Sequence, residues 1–150
     1  MTATIREARR DDLQAIATLL ADDPLGRTRE DPADLAAYMS AFDAIAAQPG
    51  NLVLVAELHG RIAGCLQLTL IPGLARRGMT RAQIEGVRVA ATDRGAGIGE
   101  AMVRDAIERA RAAGCGLVQL TSDTARPDAH RFYERLGFAA SHVGMKLALG

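Results

Sequence analysis

Val87-Arg88-Val89-Ala90-Ala91-Thr92-Asp93-Arg94-Gly95-Ala96-Gly97-Ile98-Gly99 is the segment on which the reading of this chain turns. An apolar strand runs into a glycine-rich turn, and the turn opens a helix. Gly95, Gly97 and Gly99 let the backbone come close to a bulky ligand. The unpaired N–H groups of the first helical turn, reinforced by the helix dipole, attract an anion such as a pyrophosphate. The spacing excludes two other phosphate binders. A dinucleotide-binding G-x-G-x-x-G starting at Gly97 would need glycine where Met102 stands. A P-loop would need Gly-Lys-Ser/Thr after Gly95, and the chain has none there.

Working outward, AQIEGVRVA (82–90) is the strand that enters the turn. Before it, LVLVAEL (52–58) and IAGCLQLTLI (62–71) read as a hairpin joined at His59-Gly60-Arg61. Residues 72–78 form a loop holding Arg76 and Arg77. Further upstream, Ile5 to Ala8 is a short strand. Asp11-Asp12 then starts a helix carrying Leu13, Ile16, Ala17 and Leu20 at helical spacing. Asp22-Asp23-Pro24-Leu25-Gly26 breaks that helix. A second helix is predicted from near Asp31-Pro32, with Leu35, Tyr38 or Met39, Phe42 and Ile45 as its stripe.

Downstream of the turn, residues 97–113 form a long helix capped by Gly114, with exposed i, i+4 pairs Glu100–Arg104 and Asp105–Arg109. Residues 117–121 are a strand, and 127–136 a helix capped by Gly137. Phe138 to Leu149 is predicted to complete the sheet as two strands. The early strands should pair antiparallel. The strand–helix–strand unit over 84–120 should be parallel with a right-handed crossover.

A chain of 150 residues fits one domain, residues 1–150. Apolar residues are 49% and charged residues 24%, so a buried core needs no disulfide staples. Lys plus Arg total 18 and Asp plus Glu total 18, which removes the basic surplus that nucleic acid binding requires. Apolar runs fall far short of the ~20 residues of a membrane span. The start, MTATIRE, does not read as a signal peptide. Cys65 and Cys115 sit in apolar strand-like contexts, which suits free thiols in a reducing cytoplasm, and neither has the partners of a metal site.

Arg94-Gly95-Ala96-Gly97-Ile98-Gly99 fits the pattern R-x-x-G-x-G, and Ala129-His130-Arg131-Phe132-Tyr133-Glu134-Arg135-Leu136-Gly137-Phe138 fits A-x-x-F-Y-x-x-x-G-F. In both motifs, and in element order, the chain resembles the GNAT acetyltransferases. The likeness is strong from Ile84 to Phe138 and weak before Asn51. It implies an α/β fold with a mixed, mostly antiparallel sheet of six or seven strands flanked by about four helices. It implies acetyl-CoA as cosubstrate, with no metal, and transfer of its acetyl group to the amine of a small molecule or peptide. Attack would be direct, in a ternary complex. Dimers through sheet edges or the last strands are common in that family, so a homodimer belongs with these expectations.

Acetyl transfer to an amine needs a base, an oxyanion donor and a proton for the leaving thiolate. Glu85 lies nine residues before Arg94, where family members often place a carboxylate base. It should share a strand face with Val87 and Val89 and be partly buried. Gly86 marks a bulge, or else a crowded spot in the sheet. A bulge would free a backbone N–H near Val87 for the thioester oxygen. The resemblance gives Val87, Arg88 and Val89 to the pantetheine arm, and Arg94, Gly95, Ala96, Gly97, Ile98 and Gly99 to the pyrophosphate. Tyr133 is the candidate acid towards the sulfur, against the plainer reading of a core aromatic with a backbone partner. Phe132 and Phe138 read as packing. Asp123 and Asp128 read as caps, Asp128 with a minor cofactor role.

His130 reads as a solvated surface histidine, His59 lies in the hairpin turn and His142 in the final strands. The acceptor is expected opposite CoA, beside 25–30 and 72–81, where Arg27, Arg29, Arg76, Arg77 and Arg81 stand. A non-catalytic CoA-binding regulatory module is the alternative function.

Overall fold

The structure is a computed structural model and describes residues 2–150. Five strands form one sheet in the order β1-β2-β3-β4-β5. They are β1 (Thr4–Glu7), β2 (Asn51–Leu58), β3 (Arg61–Ile71), β4 (Arg81–Val89) and β5 (Leu117–Gln119). The first four pair antiparallel in sequence order, and β4 pairs parallel with β5. The β2–β3 turn places His59 (φ 53) and Gly60 (φ 74) in the left-handed region that suits the right-handed twist of a two-residue hairpin loop.

The helices are α1 (Leu13–Ala21), α2 (Gly26–Arg29), α3 (Leu35–Ala46), α4 (Ala75–Gly78), α5 (Ile98–Ala112) and α6 (Pro127–Arg135). The sheet is covered on both faces. On one, Leu54, Leu66, Leu68 and Ile84 pack against Ile98, Met102, Val103 and Ala106 of α5. These α5 positions recur at helical spacing, so a single stripe reaches the sheet. On the other face, Val55 and Cys65 meet Leu13, Ile16 and Leu19 of α1, with Leu35, Met39 and Phe42 of α3 alongside. The two i, i+4 pairs foreseen on α5 form, Glu100–Arg104 at 3.4 Å and Asp105–Arg109 at 2.7 Å.

The mixed, mostly antiparallel α/β class is as predicted, and three details differ. First, α3 begins at Leu35 rather than near Pro32, because Asp34 supplies the N-cap and accepts from the Ala37 N–H at 3.4 Å. Second, α2 and α4 are single turns inside segments read as loops. Arg76 (φ 56) and Arg77 (φ 60) make α4 a left-handed turn. Third, the sheet has five strands among the described residues, not six or seven. Residues 138–149 form no strand, because no neighbouring strand in this chain accepts their backbone groups.

Candidate functional site

Two adjacent irregularities in the sheet create the site. On the β3 side, Gln67 pairs with Glu85 and Cys65 with Arg88, so Gly86 and Val87 together oppose a single residue. This is a β-bulge. Gly86 has φ 62, and a Cβ there would make only ordinary contact with Leu20, at 3.6 Å. The backbone conformation, rather than crowding, is what calls for glycine. The Cys65 thiol lies 3.7 Å from the Gly86 carbonyl oxygen and donates to it. Burial pushes that thiol up to about 12, so it stays protonated and available for this contact.

On the β5 side, pairing stops at Gln83 with Gln119. From Ile84 to Val89 the strand has no partner on that side, so β4 and β5 diverge. An open groove of about 370 Å³ lies there. Val87, Arg88, Val89, Arg94, Arg126 and Asp128 are among its lining residues.

The glycine turn lies at the upper end of β4. Gly95 (φ 83) and Gly97 (φ 80) are left-handed, and nothing lies within 4 Å of where their side chains would be. Gly97 caps α5 from a position with no side-chain acceptor. The first N–H groups of α5 therefore face open space with the positive end of the helix dipole behind them. Gly99 is different: a Cβ would come within 3.4 Å of Phe132 and 3.5 Å of Val89. Both are ordinary contacts, and they place the start of α5 beside β4 and α6. Arg94 Nε donates to the Val89 carbonyl at 3.3 Å and tightens the turn, leaving the side chain exposed at the groove. Asp93 anchors the turn from below through Arg61, with contacts of 2.5 and 2.6 Å, and that pairing holds its carboxyl below the usual range. The sequence reading passed over Asp93.

Glu85 does not share a face with Val87 and Val89. The extra residue of the bulge reverses the side-chain alternation. Glu85 instead lies on the face of Gln83 and, past the bulge, of Arg88. It is exposed, not partly buried, and accepts from Gln83 Nε2 at 2.9 Å. Gln119 Nε2 donates in turn to Gln83 Oε1 at 2.9 Å, so a short row of amides orients the carboxylate. The reversal turns Glu85 towards the side of the sheet that carries α1 and α3, away from the α5 core.

Tyr133 is half-buried, edge-on to Phe132 (5.0 Å) and Phe138 (5.8 Å). Its hydroxyl has no hydrogen-bond partner among the described residues, so it does not find the backbone partner of an ordinary core tyrosine. Burial raises its pKa, and Arg88 and Arg126 partly offset that.

Sequence reasoning also missed Asp23. Its Oδ1 accepts from the Gly26 N–H at 2.6 Å. Its Oδ2 lies 3.1 Å from Arg126 Nη1 and 3.0 Å from Arg88 Nε. The contact with Arg88 is an ion pair without a hydrogen bond, and the buried Nε has no other partner. Burial would raise the Asp23 carboxyl, but the Gly26 N–H and the two arginines outweigh it and hold it below the usual range. The available signal was an acidic residue at a helix break, which also reads as a plain terminator.

Arg29, flagged for the acceptor side, reaches Asp123 at 3.4 Å, while Arg27, Arg76 and Arg77 are exposed. Asp123 also caps the Ala125 N–H at 2.9 Å, whereas Asp128 pairs with Arg131. His130 is half-buried, its Nε2 3.0 Å from the Asp123 carbonyl, rather than solvated. No group of three or more His, Cys, Asp or Glu able to hold a metal occurs among the described residues, and no helix there is long and apolar enough to cross a membrane.

Comparison with known proteins agrees with this geometry. The profile of the Acetyltransferase (GNAT) family matches residues 10–138. A glucosamine 6-phosphate N-acetyltransferase of Trypanosoma brucei brucei is 41% identical over 91 residues, 60% of this chain, and the match spans 59% of that protein. An aminoalkylphosphonate N-acetyltransferase of Salmonella typhimurium is 32% identical over 77% of this chain and 75% of its own length. A crystal structure from Bacillus halodurans C-125, described as a transcriptional regulator, superposes with a TM-score of 0.95 at 48% identity, covering 98% of this chain and 99% of that one.

Proposed function

Because the chain belongs to the Acetyltransferase (GNAT) family, we propose that this acyltransferase moves the acetyl group of acetyl-CoA onto the amine of a small anionic acceptor. The observation that carries the proposal is the divergence of β4 from β5, ending at the open glycine turn. The pantetheine arm runs along the free side of Val87, Arg88 and Val89 as a pseudo-strand. Arg94, Gly95, Ala96, Gly97, Ile98 and Gly99 hold the pyrophosphate, chiefly through backbone N–H groups. Asp128 borders the same groove.

In the transfer, Glu85 accepts a proton from the acceptor ammonium, directly or through water. The amine nitrogen attacks the thioester carbon, a C–N bond forms and the C–S bond breaks. The backbone N–H freed by the bulge beside Val87 stabilises the oxyanion. Tyr133 donates its phenolic proton to the departing thiolate, and the second proton, shed by the nitrogen as the amide forms, restores the phenol directly or through water. Arg88 and Arg126 converge beside Asp23, and this supports an acceptor with a phosphate, phosphonate or carboxylate. The two named N-acetyltransferase relatives are in keeping with that class. The reading includes one acetyltransferase domain over 1–150, a homodimer and a reducing cytoplasmic setting for its two free thiols.

The test is calorimetric titration with acetyl-CoA, followed by thiol release over a panel of amines. The panel includes glucosamine 6-phosphate, an aminoalkylphosphonate, free amino acids and peptides. Turnover confined to anionic small amines supports the proposal. Turnover only with peptides removes the acceptor class. The description of the Bacillus halodurans relative favours a second reading, a CoA-binding regulatory module. Binding of acetyl-CoA with no turnover on any amine would select it.

A further inference from the structure

Four neutral polar side chains form a row straight across the sheet. Asn51 of β2 pairs with Thr69 of β3, Thr69 with Gln83 of β4, and Gln83 with Gln119 of β5. Residues paired in this way project to one face of the sheet. Gln67 lies opposite Glu85 in the next row, and both project to that face as well. Farther along, at Val53, Val55 and Cys65, the same face is apolar and packs against α1 and α3. Beyond them it turns polar across four adjacent strands, as the wet part of a half-covered sheet does. Asn51, Gln67, Thr69, Gln83 and Gln119 are half-buried, and Glu85 is exposed.

These side chains satisfy one another only in part. Asn51 Oδ1 accepts from Gln67 Nε2 and from Thr69 Oγ1, both at 3.1 Å. Gln119 Nε2 donates to Gln83 Oε1, and Gln83 Nε2 to Glu85 Oε1, both at 2.9 Å. Among the described residues, Gln67 Oε1 and Gln119 Oε1 receive no donor, and each of the three glutamine amides uses one of its two N–H groups. The floor thus offers neutral donors and acceptors side by side, and it leads up to the Glu85 carboxylate. A bound anion takes donors only and an ammonium takes acceptors only, whereas a hydroxyl both donates and accepts. A peptide main chain is read at a sheet edge, through backbone hydrogen bonds, but a sheet face presents side chains alone. At about 4.8 Å between strands, the row is roughly 14 Å long, room for the body of a small molecule whose amine lies at Glu85.

We infer that this row is the floor of the acceptor site, and that the acceptor is an amine whose carbon skeleton bears hydroxyl groups, held by Gln67, Thr69 and Gln119. The inference rests on the proposed acetyl transfer, whose base is Glu85, and adds to the anionic group a second requirement.

Two pairs of acceptors test it, each pair sharing its amine and its anion. One is 3-amino-2-hydroxypropylphosphonate against 3-aminopropylphosphonate; the other is glucosamine 6-phosphate against 5-aminopentyl phosphate. kcat/KM should favour the hydroxylated member by about 3- to 10-fold for each hydroxyl held, the net worth of one hydrogen bond. A preference confined to the first pair names an open-chain amino alcohol, and one confined to the second names an amino sugar. Equal kcat/KM within both pairs overturns the inference and leaves acetyl transfer standing. No turnover on any amine, or turnover on peptides alone, overturns the proposed acceptor chemistry and this inference with it. Thr69→Val and Gln119→Leu should each shrink the preference. A misplaced Glu85 or a weakened fold lowers both members of a pair alike, so the ratio reads the hydroxyl contact itself. A preference undiminished in both variants also overturns the inference, because the hydroxyls are then not held by this row.

Discussion

In the proposed reaction Tyr133 is the proton donor. Burial raises its phenol above the ordinary 10.0, and Arg88 and Arg126 only partly reverse that. The donating form is thus the one present at neutral pH. As pH rises through the ordinary tyrosine range, kcat should hold, and fall only above the raised value as the proton is lost. A fall centred well below pH 10 would assign the limb to another group. Tyr133→Phe should lower kcat by about 10²- to 10⁴-fold, the usual contribution of a placed acid, with acetyl-CoA affinity unchanged by calorimetry. Equal kcat in the variant would reduce Tyr133 to packing between Phe132 and Phe138. Glu85→Gln keeps the hydrogen bond from Gln83 possible but removes the base. We expect a loss of similar size in kcat, with folding unaffected because the residue is exposed. An unchanged rate would put proton removal elsewhere. The sequence marked both as candidates, Tyr133 by the motif A-x-x-F-Y-x-x-x-G-F and Glu85 by its place nine residues before Arg94. Asp23 was not marked, because its partners lie 65 and 103 positions away, at Arg88 and Arg126.

At the scale of elements, Gly86 decides how β4 serves two sides of the sheet. Its φ of 62 costs a side-chain-bearing residue about 1–2 kcal/mol. Gly86→Ala should lower stability in urea by about that amount and weaken acetyl-CoA binding, since a straightened strand returns Val87 to the ladder. Lost binding without lost stability would mean that alanine disturbs the ligand and not the bulge. A glycine inside an apolar run announced the bulge. The face of Glu85 was misread because period two was carried across an inserted residue. Arg76 and Arg77 gave no warning of a left-handed turn, since arginine has no preference for positive φ. Residues 138–149 were read as two further strands of the sheet and form none, because alternation alone does not supply an edge to pair with. The glycine turn was the most legible element: its left-handed glycines and its opening of α5 follow from local backbone requirements, with no distant partner needed.

For the whole molecule, Asp23 joins segments that are far apart in the sequence. It ties the α1–α2 connection to β4 through Arg88 and to the approach of α6 through Arg126, and Arg29–Asp123 runs parallel to it. Its carboxyl is held below the ordinary 3.8, so the sign of its linkage is fixed. The ionised form's contribution to stability is fully present above that ordinary value. It is lost as pH falls through the depressed folded value, because the unfolded chain takes up the proton first. Wild-type protein should therefore lose stability steeply below about pH 4, and Asp23→Asn should show a shallower loss from a lower starting stability. Hydrogen exchange adds the structural half of the test. In Asp23→Asn, amides of 22–29 and 122–127 should exchange faster together, while those of β2 and β3 keep their protection. If only one of the two loops loosens, Asp23 serves that loop alone, and the two sides of the site are not coupled through it.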